Sequence, residues 1–216
     1  MQSDKPPSET PPDPDSGPRD RLADAVMAEA VFDGFGRTSL TAAAAKLGLP
    51  AGEAERLFPG GGLGLVSWLS ARADRRTVAD MEAAGTATQK IRDRIRNAVR
   101  LRIGHAGERE AVRRALALLA LPLNAPTGAQ LLYRTVDAMW YAAGDTSADF
   151  NFYTKRALLA GVWSSTLLYW LNDRSEDASA TWAFLDRRIE DVMRIEKLKS
   201  QAKSWFSGGP KAASRR

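Results

Sequence analysis

The amino-acid sequence predicts an all-α protein: a helix-turn-helix-like unit of three short N-terminal helices, followed by a larger helical bundle. Three observations point to it. From Arg19 onward apolar residues recur at helical spacing, and no stretch alternates with period two. Glycine and proline divide the chain into pieces of helix length, at Gly34 and Gly36, Gly48, Pro59 to Gly62, Pro122 and Gly144. Two pieces are strongly apolar, as helices inside a bundle are: 108–121 ends in "ALALLAL", apolar all round, and 153–171 is apolar over most of its length.

The elements follow in order. Residues 1–18 hold six of the eleven prolines and almost no apolar side chains, so they are expected to be disordered. They show neither the hydrophobic core of a secretory signal nor the arginines of a mitochondrial transit peptide. From this a bacterial, cytoplasmic chain is expected, peripheral on the inner face of the cytoplasmic membrane.

Residues 19–70 form the three-helix unit. "RDRLADAVMAEAVFDGFG" sets Leu22, Ala25, Val26, Ala30 and Phe32 on one side. "SLTAAAAKLGL" is a short Ala-rich helix stopped by Gly48, and "AGEAERLF" is a third, ended by "PGGG". The bundle, 71–206, begins inside "LGLVSWLSARADRRTVADMEAAG". In 88–103 Ile91, Ile95, Ala98, Val99 and Arg102 or Ile103 make a stripe, with arginine over the rest. The segment 108–121 is expected to be a central helix. Then come "GAQLLYRTVDAMWYAAG", "YTKRALLAGVWSSTLLYWL" and "TWAFLDRRIEDVMRIEKLKSQAKSWF", with 207–216 as a flexible basic tail.

Composition excludes several chemistries. With no cysteine there are no disulfides, iron–sulfur clusters or thiol nucleophiles. One histidine, His105, rules out a His-rich metal site and a paired Glu-x-x-His iron site. It lies in "RIGHAGERE" and reads as a solvated loop residue. No carboxylate pair emerges from spacing, so no catalytic residue, metal or cofactor is expected. No run of 18 apolar residues exists to cross a membrane. The net charge of +5 is uneven: 9 basic and 13 acidic residues in 1–86, 13 and 10 in 87–186, 9 and 3 in 187–216. The positive field lies at the C-terminus.

"GFGRTSLTAAAAKLGLPAGEAERLFPGG" resembles the DNA-binding start of TetR-type regulators, through its Gly-Phe-x-x-Thr-Ser entry, Ala-rich helix and "LGL" turn. Its charges argue against DNA. From Thr38 to Ser70 they are Lys46, Arg56, Glu53 and Glu55, a net of zero, whereas a helix in the major groove needs cations. The Lys that usually follows the Phe is absent, with "PGGGLGL" in its place. A TetR-type DNA-binding repressor with a hydrophobic effector is the alternative reading.

The turn at 140–156 is the other unusual stretch. Trp140, Tyr141, Phe150, Phe152 and Tyr153 crowd around it, Asp145 or Thr146 opens the loop, and Asp149 or Asn151 caps the next helix. Taken singly, each ring is core and each polar group a cap. As a set they are too many rings for one turn, and exposed aromatics with acidic neighbours are what protein interfaces use.

"DAMWYAAGDTSADFNFYTKRALLAGVWSSTLLYWLNDRSEDASATWAFLDRRI" resembles the ubiquinone-biosynthesis accessory family known as the ninth Coq protein, with its Met-Trp-Tyr, Gly-Asp, Asp-Phe-Asn-x-Tyr-Thr-x-Arg and Thr-Trp-x-Phe-Leu elements. The similarity runs from about Arg19 to about Arg194. It implies a TetR-like all-helical fold with a ligand-binding bundle, no DNA binding, no enzymatic activity, and a bound isoprenoid or phospholipid. It also implies a partner, the membrane-bound diiron demethoxyubiquinone hydroxylase known as the seventh Coq protein. The family's contact patch maps onto Val136, Asp137, Met139, Trp140, Phe152 and Tyr153. The same motif elements bring Tyr141, Asp149, Asn151 and Arg156 into the partner-binding set. Phe152 stands where many members have Trp, which keeps a ring and loses an indole donor.

For a lipid site the apolar helices offer Leu116, Leu118, Leu119, Leu121, Leu158, Leu159, Val162, Trp163, Leu167 and Leu168, without a titratable pair. Such a set binds an isoprenoid tail by burial alone; the plain alternative is a core and a dimer interface. A homodimer through the last two long helices is expected. In 182–206 Trp182, Leu185, Ile189 and Val192 form one stripe, and Lys197, Lys199, Lys203, Trp205 and Phe206 follow. A basic helix with terminal aromatics suits an anionic membrane surface, and a solvated helix end is the alternative.

Overall fold

The computed structural model describes residues 17–85, 88–145 and 151–207. The expectations for 1–16 and for 208–216 lie outside the described residues, as does Asp149. The described residues hold α-helices and a short 3-10 turn, with no strand among them. The helices are α1 Pro18–Asp33, α2 Arg37–Lys46, α3 Glu53–Leu57, α4 Gly61–Ala83, α5 Ile91–Gly104, α6 Arg109–Leu119, α7 Ala125–Ala142, α8 Asn151–Asn172 and α9 Ser179–Ser207. They form two compact units, one of residues 1–73 and 106–131, the other of 74–105 and 132–216. The first unit thus ends at residue 73 and also takes in α6 and the start of α7.

In the first unit Pro18 opens α1, where a missing N–H costs nothing. Leu22, Val26 and Ala30, four apart, bury one side of it. Phe32 does not join them: two residues past Ala30 the helix has turned by about 200°, and its ring is exposed. The small residues Ala43 and Ala44 of α2 let the helices approach around Leu40, Phe58 and Leu65. Gly48 holds φ +65° in the turn after α2, a conformation that suits glycine. Lys46 pairs with Glu29, and Arg56 donates to Glu53 from Nε (2.7 Å) and Nη2 (2.6 Å). The α6 helix is not central. Only Ala111 on it is buried, while Leu118 and Leu119 lie partly covered against the core.

The second unit packs α8 and α5 against α9. The stripe on α5 is buried at Ile95, Ala98, Val99 and Ile103, with Arg102 among them, whereas Ile91 in the first turn is exposed. Arg102 Nε donates to Asp74 Oδ1 at 2.7 Å, Thr135 Oγ1 donates to the same oxygen at 2.9 Å, and the guanidinium lies 5.5 Å from the Trp163 ring centre. All three polar residues are buried, so the carboxylate supplies the partners that burial of Arg102 requires. His105 is not a solvated loop residue. It caps α5, half-buried, with Nε2 at 2.6 Å from Asp80 Oδ2.

Asp173 organises the start of α9. Its Oδ1 accepts from the backbone N and the hydroxyl of Ser175, and its Oδ2 from those of Thr181. These bonds, the Ser175 hydroxyl foremost, hold its carboxyl well below the usual carboxylate range. Lys197, Lys199, Lys203, Trp205 and Phe206 fall on α9, but their side chains lie outside the described residues.

Candidate functional site

The site lies in the second unit, where α7 ends and α8 begins. Gly144 closes α7: its N–H reaches Tyr141 O (2.8 Å), and Asp145 N–H reaches Trp140 O (3.0 Å). This pair of bonds is a Schellman ending. Gly144 holds φ +76°, a backbone conformation that favours glycine.

Across that turn runs a clasp of charges. Arg156, 8% exposed, donates from Nε to Asp137 Oδ1 at 2.7 Å, and its Nη2 lies 2.6 Å from the same oxygen. Its Nη1 reaches Phe152 O (3.4 Å) and lies 3.7 Å from Asp145 Oδ2. The guanidinium sits 3.3 Å from the Phe152 ring centre, within cation–π range. Lys155 Nζ donates to Asp145 Oδ1 at 2.9 Å and lies 5.6 Å from the Trp140 ring, whose Nε1 donates to Lys155 O at 3.2 Å. Two acids and two bases thus join α7 to α8 and leave little net charge.

The clasp sorts the expected partner-binding residues. Tyr141 (68% exposed) and Tyr153 (72%) stand out into solvent, and Tyr153 meets Phe152 edge-on at 5.2 Å. Asp137 is partly exposed; Trp140 and Phe152 are half-buried. Val136 and Met139 are 1% exposed each, so they are core and not contact residues. The reason is helix phase: Val136, Met139 and Ala143 share the inward side of α7, while Asp137 and Tyr141, four apart, share the outward one. Asn151 begins α8, with its side chain outside the described residues.

The lipid-site expectation fares differently. Leu116 and Leu119 belong to the first unit, whereas Leu158, Leu159, Val162, Trp163 and Leu167 belong to the second. Leu159, Val162, Trp163 and Leu167 are buried as core, Leu158 is half-buried, and Leu168 faces solvent. The larger concavity described in this unit is an open groove of about 460 Å³ between α4 and α7. It is lined by Asp74, Arg75, Val78, Ala79 and Glu82 of α4 and by Arg134, Asp137, Ala138 and Tyr141 of α7. None of the expected lipid residues lines it.

Sequence reasoning missed the joint role of Asp145 and Lys155, and the Asp74–Arg102–Thr135 network. One signal was present for each. Lys155 precedes Arg156 in a basic pair just after an acidic turn, and Arg102 sits on an otherwise apolar stripe, where a charge needs a buried partner.

Known proteins share this site region. Residues 125–196 match the COQ9 family model. The chain is 44% identical over 116 residues to "Ubiquinone biosynthesis protein COQ9, mitochondrial" of Rattus norvegicus and 41% over 116 residues to that of Homo sapiens, in each case 54% of this chain and 36% of the relative. The Drosophila melanogaster protein of the same description is 30% identical over 188 residues, 85% of this chain and 57% of that protein. The matched part therefore spans roughly a third to somewhat over half of these relatives. Among solved structures, a TetR transcriptional regulator from Nitrosomonas europaea superposes with a TM-score of 0.64 at 21% identity, covering 80% of this chain and 95% of that one. The fold is thus TetR-like and all-α. The mitochondrial relatives overturn the expected placement on a bacterial cytoplasmic membrane. That expectation rested on the composition of residues 1–18, which carries no compartment by itself.

Proposed function

This chain is a relative of the COQ9 ubiquinone-biosynthesis proteins through residues 125–196, and from that premise we propose that it is a non-enzymatic accessory protein of ubiquinone biosynthesis. In this reading it binds an isoprenoid or phospholipid and presents ubiquinone precursors to the membrane diiron demethoxyubiquinone hydroxylase. The observation that carries the reading is the pair of exposed tyrosines, Tyr141 and Tyr153, held on either side of a charge clasp. A rigid frame under exposed rings is the arrangement of a docking surface: the rings bring contact area at low entropy cost, and the frame is ordered before the partner arrives. Among the described residues no cluster of metal-ligating side chains is found. The function proposed needs none of its own, because the hydroxylase supplies the chemistry.

Homodimerisation, lipid binding and attachment to an anionic membrane surface belong to the same proposal. Leu168 and Tyr169 leave an exposed apolar edge on α8 for a second copy. The test is co-purification with the hydroxylase, followed by native mass spectrometry and lipid extraction. A complex carrying ubiquinone precursors is the expected result. Lipid-free protein that does not hold the hydroxylase would end the proposal.

The repressor reading finds no support in the site. The helix at the recognition position, α3, has five residues, and Lys46 and Arg56 are each engaged by a glutamate. The TetR likeness at 21% identity speaks for fold alone.

A further inference from the structure

The turn between α6 and α7 is built unlike the rest of the surface. Residues 115–133 carry no charged side chain, the longest such run in the chain. At its middle Leu121 is 52% exposed and Leu123 95%, the highest value among the exposed large apolar side chains described. The backbone around them is closed on itself. Ala120 N–H reaches Leu116 O (2.9 Å), Asn124 N–H and Ala125 N–H both reach Leu121 O (2.8 and 3.0 Å), and Gly128 N–H reaches Asn124 O (3.0 Å). The Asn124 side-chain amide donates to Leu118 O at 2.9 Å. Pro122 and Pro126 have no N–H at all.

A helix start normally leaves several N–H groups open to water. At this turn most of them are missing or satisfied within the segment. Unsatisfied backbone groups are what a hydrocarbon medium penalises, so a tip closed in this manner leaves water at little polar cost. The charge pattern suits a bilayer: an uncharged tip for the acyl region, with Arg114, paired with Glu110, and Arg134 as the first charges along the chain on either side. A charged protein surface would find nothing here to pair with.

We propose that the α6–α7 turn is a membrane-inserting tip, with Leu121 and Leu123 entering the acyl-chain boundary of a lipid bilayer. The contact is independent of the basic end of α9 and of the face that bears Tyr141 and Tyr153. It is apolar, so it tolerates salt, whereas a basic segment on anionic lipid does not.

The test uses the full chain, which has no cysteine, so that Leu123→Cys gives one site for an environment-sensitive NBD label. Vesicles of phosphatidylcholine alone, and of phosphatidylcholine with phosphatidylglycerol, are the probes. The expected result is a blue shift at position 123 on both, unchanged by high salt and absent from a label at Glu55→Cys. Leu123→Glu in the unlabelled chain is expected to weaken partition into neutral vesicles about tenfold, the effect of withdrawing one leucine from water-free contact. Helix content and capture of the hydroxylase are expected to stay the same. No shift on either vesicle would overturn the proposal. So would a shift confined to anionic vesicles and abolished by salt, which would assign the contact to the basic segment. A change of molecular mass on light scattering with Leu123→Glu would instead assign the tip to a second copy of the chain and overturn it equally.

Discussion

Arg156 joins Asp137, Asp145, the Phe152 carbonyl and the Phe152 ring from one buried position. Its removal leaves Asp137 without the guanidinium that pairs with it and Asp145 with Lys155 as its remaining clasp cation. Arg156→Ala is expected to lower stability by about 2–3 kcal/mol, since Asp137 is partly exposed and can rehydrate while Asp145 cannot. Arg156→Lys restores only part of this, because one ammonium cannot reproduce the fork and the ring stack. Denaturant midpoints of the two variants check the order. The exposed rings behave oppositely. Tyr153→Ala and Tyr141→Ala are expected to leave the melting temperature within a few degrees and to reduce capture of the hydroxylase at least severalfold. Trp140→Ala is expected to cost stability as well, because its indole is half-buried and bonded to Lys155 O. Unchanged capture with both tyrosine variants would remove the docking face.

At the scale of elements, most helices were legible from the periodicity of their apolar residues. On α1 Leu22, Val26 and Ala30, and on α9 Leu185 and Ile189, are buried where the spacing puts them. Two readings failed for physical reasons. The apolar end of α6, "ALALLAL", reads as central, yet the helix also carries Arg109, Glu110, Arg113 and Arg114 and is mostly half-exposed, because local composition does not record which neighbours cover a helix. The resemblance implies one contact patch on α7, while helix phase divides it between core and surface. The junction before α9 makes a pH prediction. Asp173 has a depressed carboxyl pKa, so its contribution is complete above the ordinary aspartate range and fades as pH falls through and below about 4. Asp173→Asn is expected to lower the melting temperature at neutral pH and to flatten its dependence on acid, which thermal melts between neutral and acidic pH will report. An equally steep acid limb in the variant would assign that limb to other carboxylates.

For the whole molecule, the TetR-like fold and the COQ9 relationship draw attention to different units. The first unit has a helix-turn-helix arrangement in which Lys46 of α2 pairs with Glu29 and Arg56 of the short α3 pairs with Glu53. A mobility-shift titration on the protein's own promoter region at low salt is expected to give no sequence-specific shift. A specific, salt-sensitive shift would revive the repressor. The second unit carries the clasp, the exposed tyrosines and most of the residues matched by the family model.

The sequence by itself determined the all-α class, the breaks at Gly48 and Gly144, the small residues that let α1 to α3 pack, and the absence of cysteine chemistry. These follow from local causes: helical spacing, backbone conformation and composition act within a few residues of one another. Only the tertiary structure decided that Val136 and Met139 are core, that Leu159, Val162, Trp163 and Leu167 of α8 are buried while Leu168 is exposed, and that Asp74 and Arg102, 28 positions apart, share one buried bond. Those facts depend on which faces of distant helices meet. A charge or a ring has the same local signature in the sequence whether it is covered or left in water.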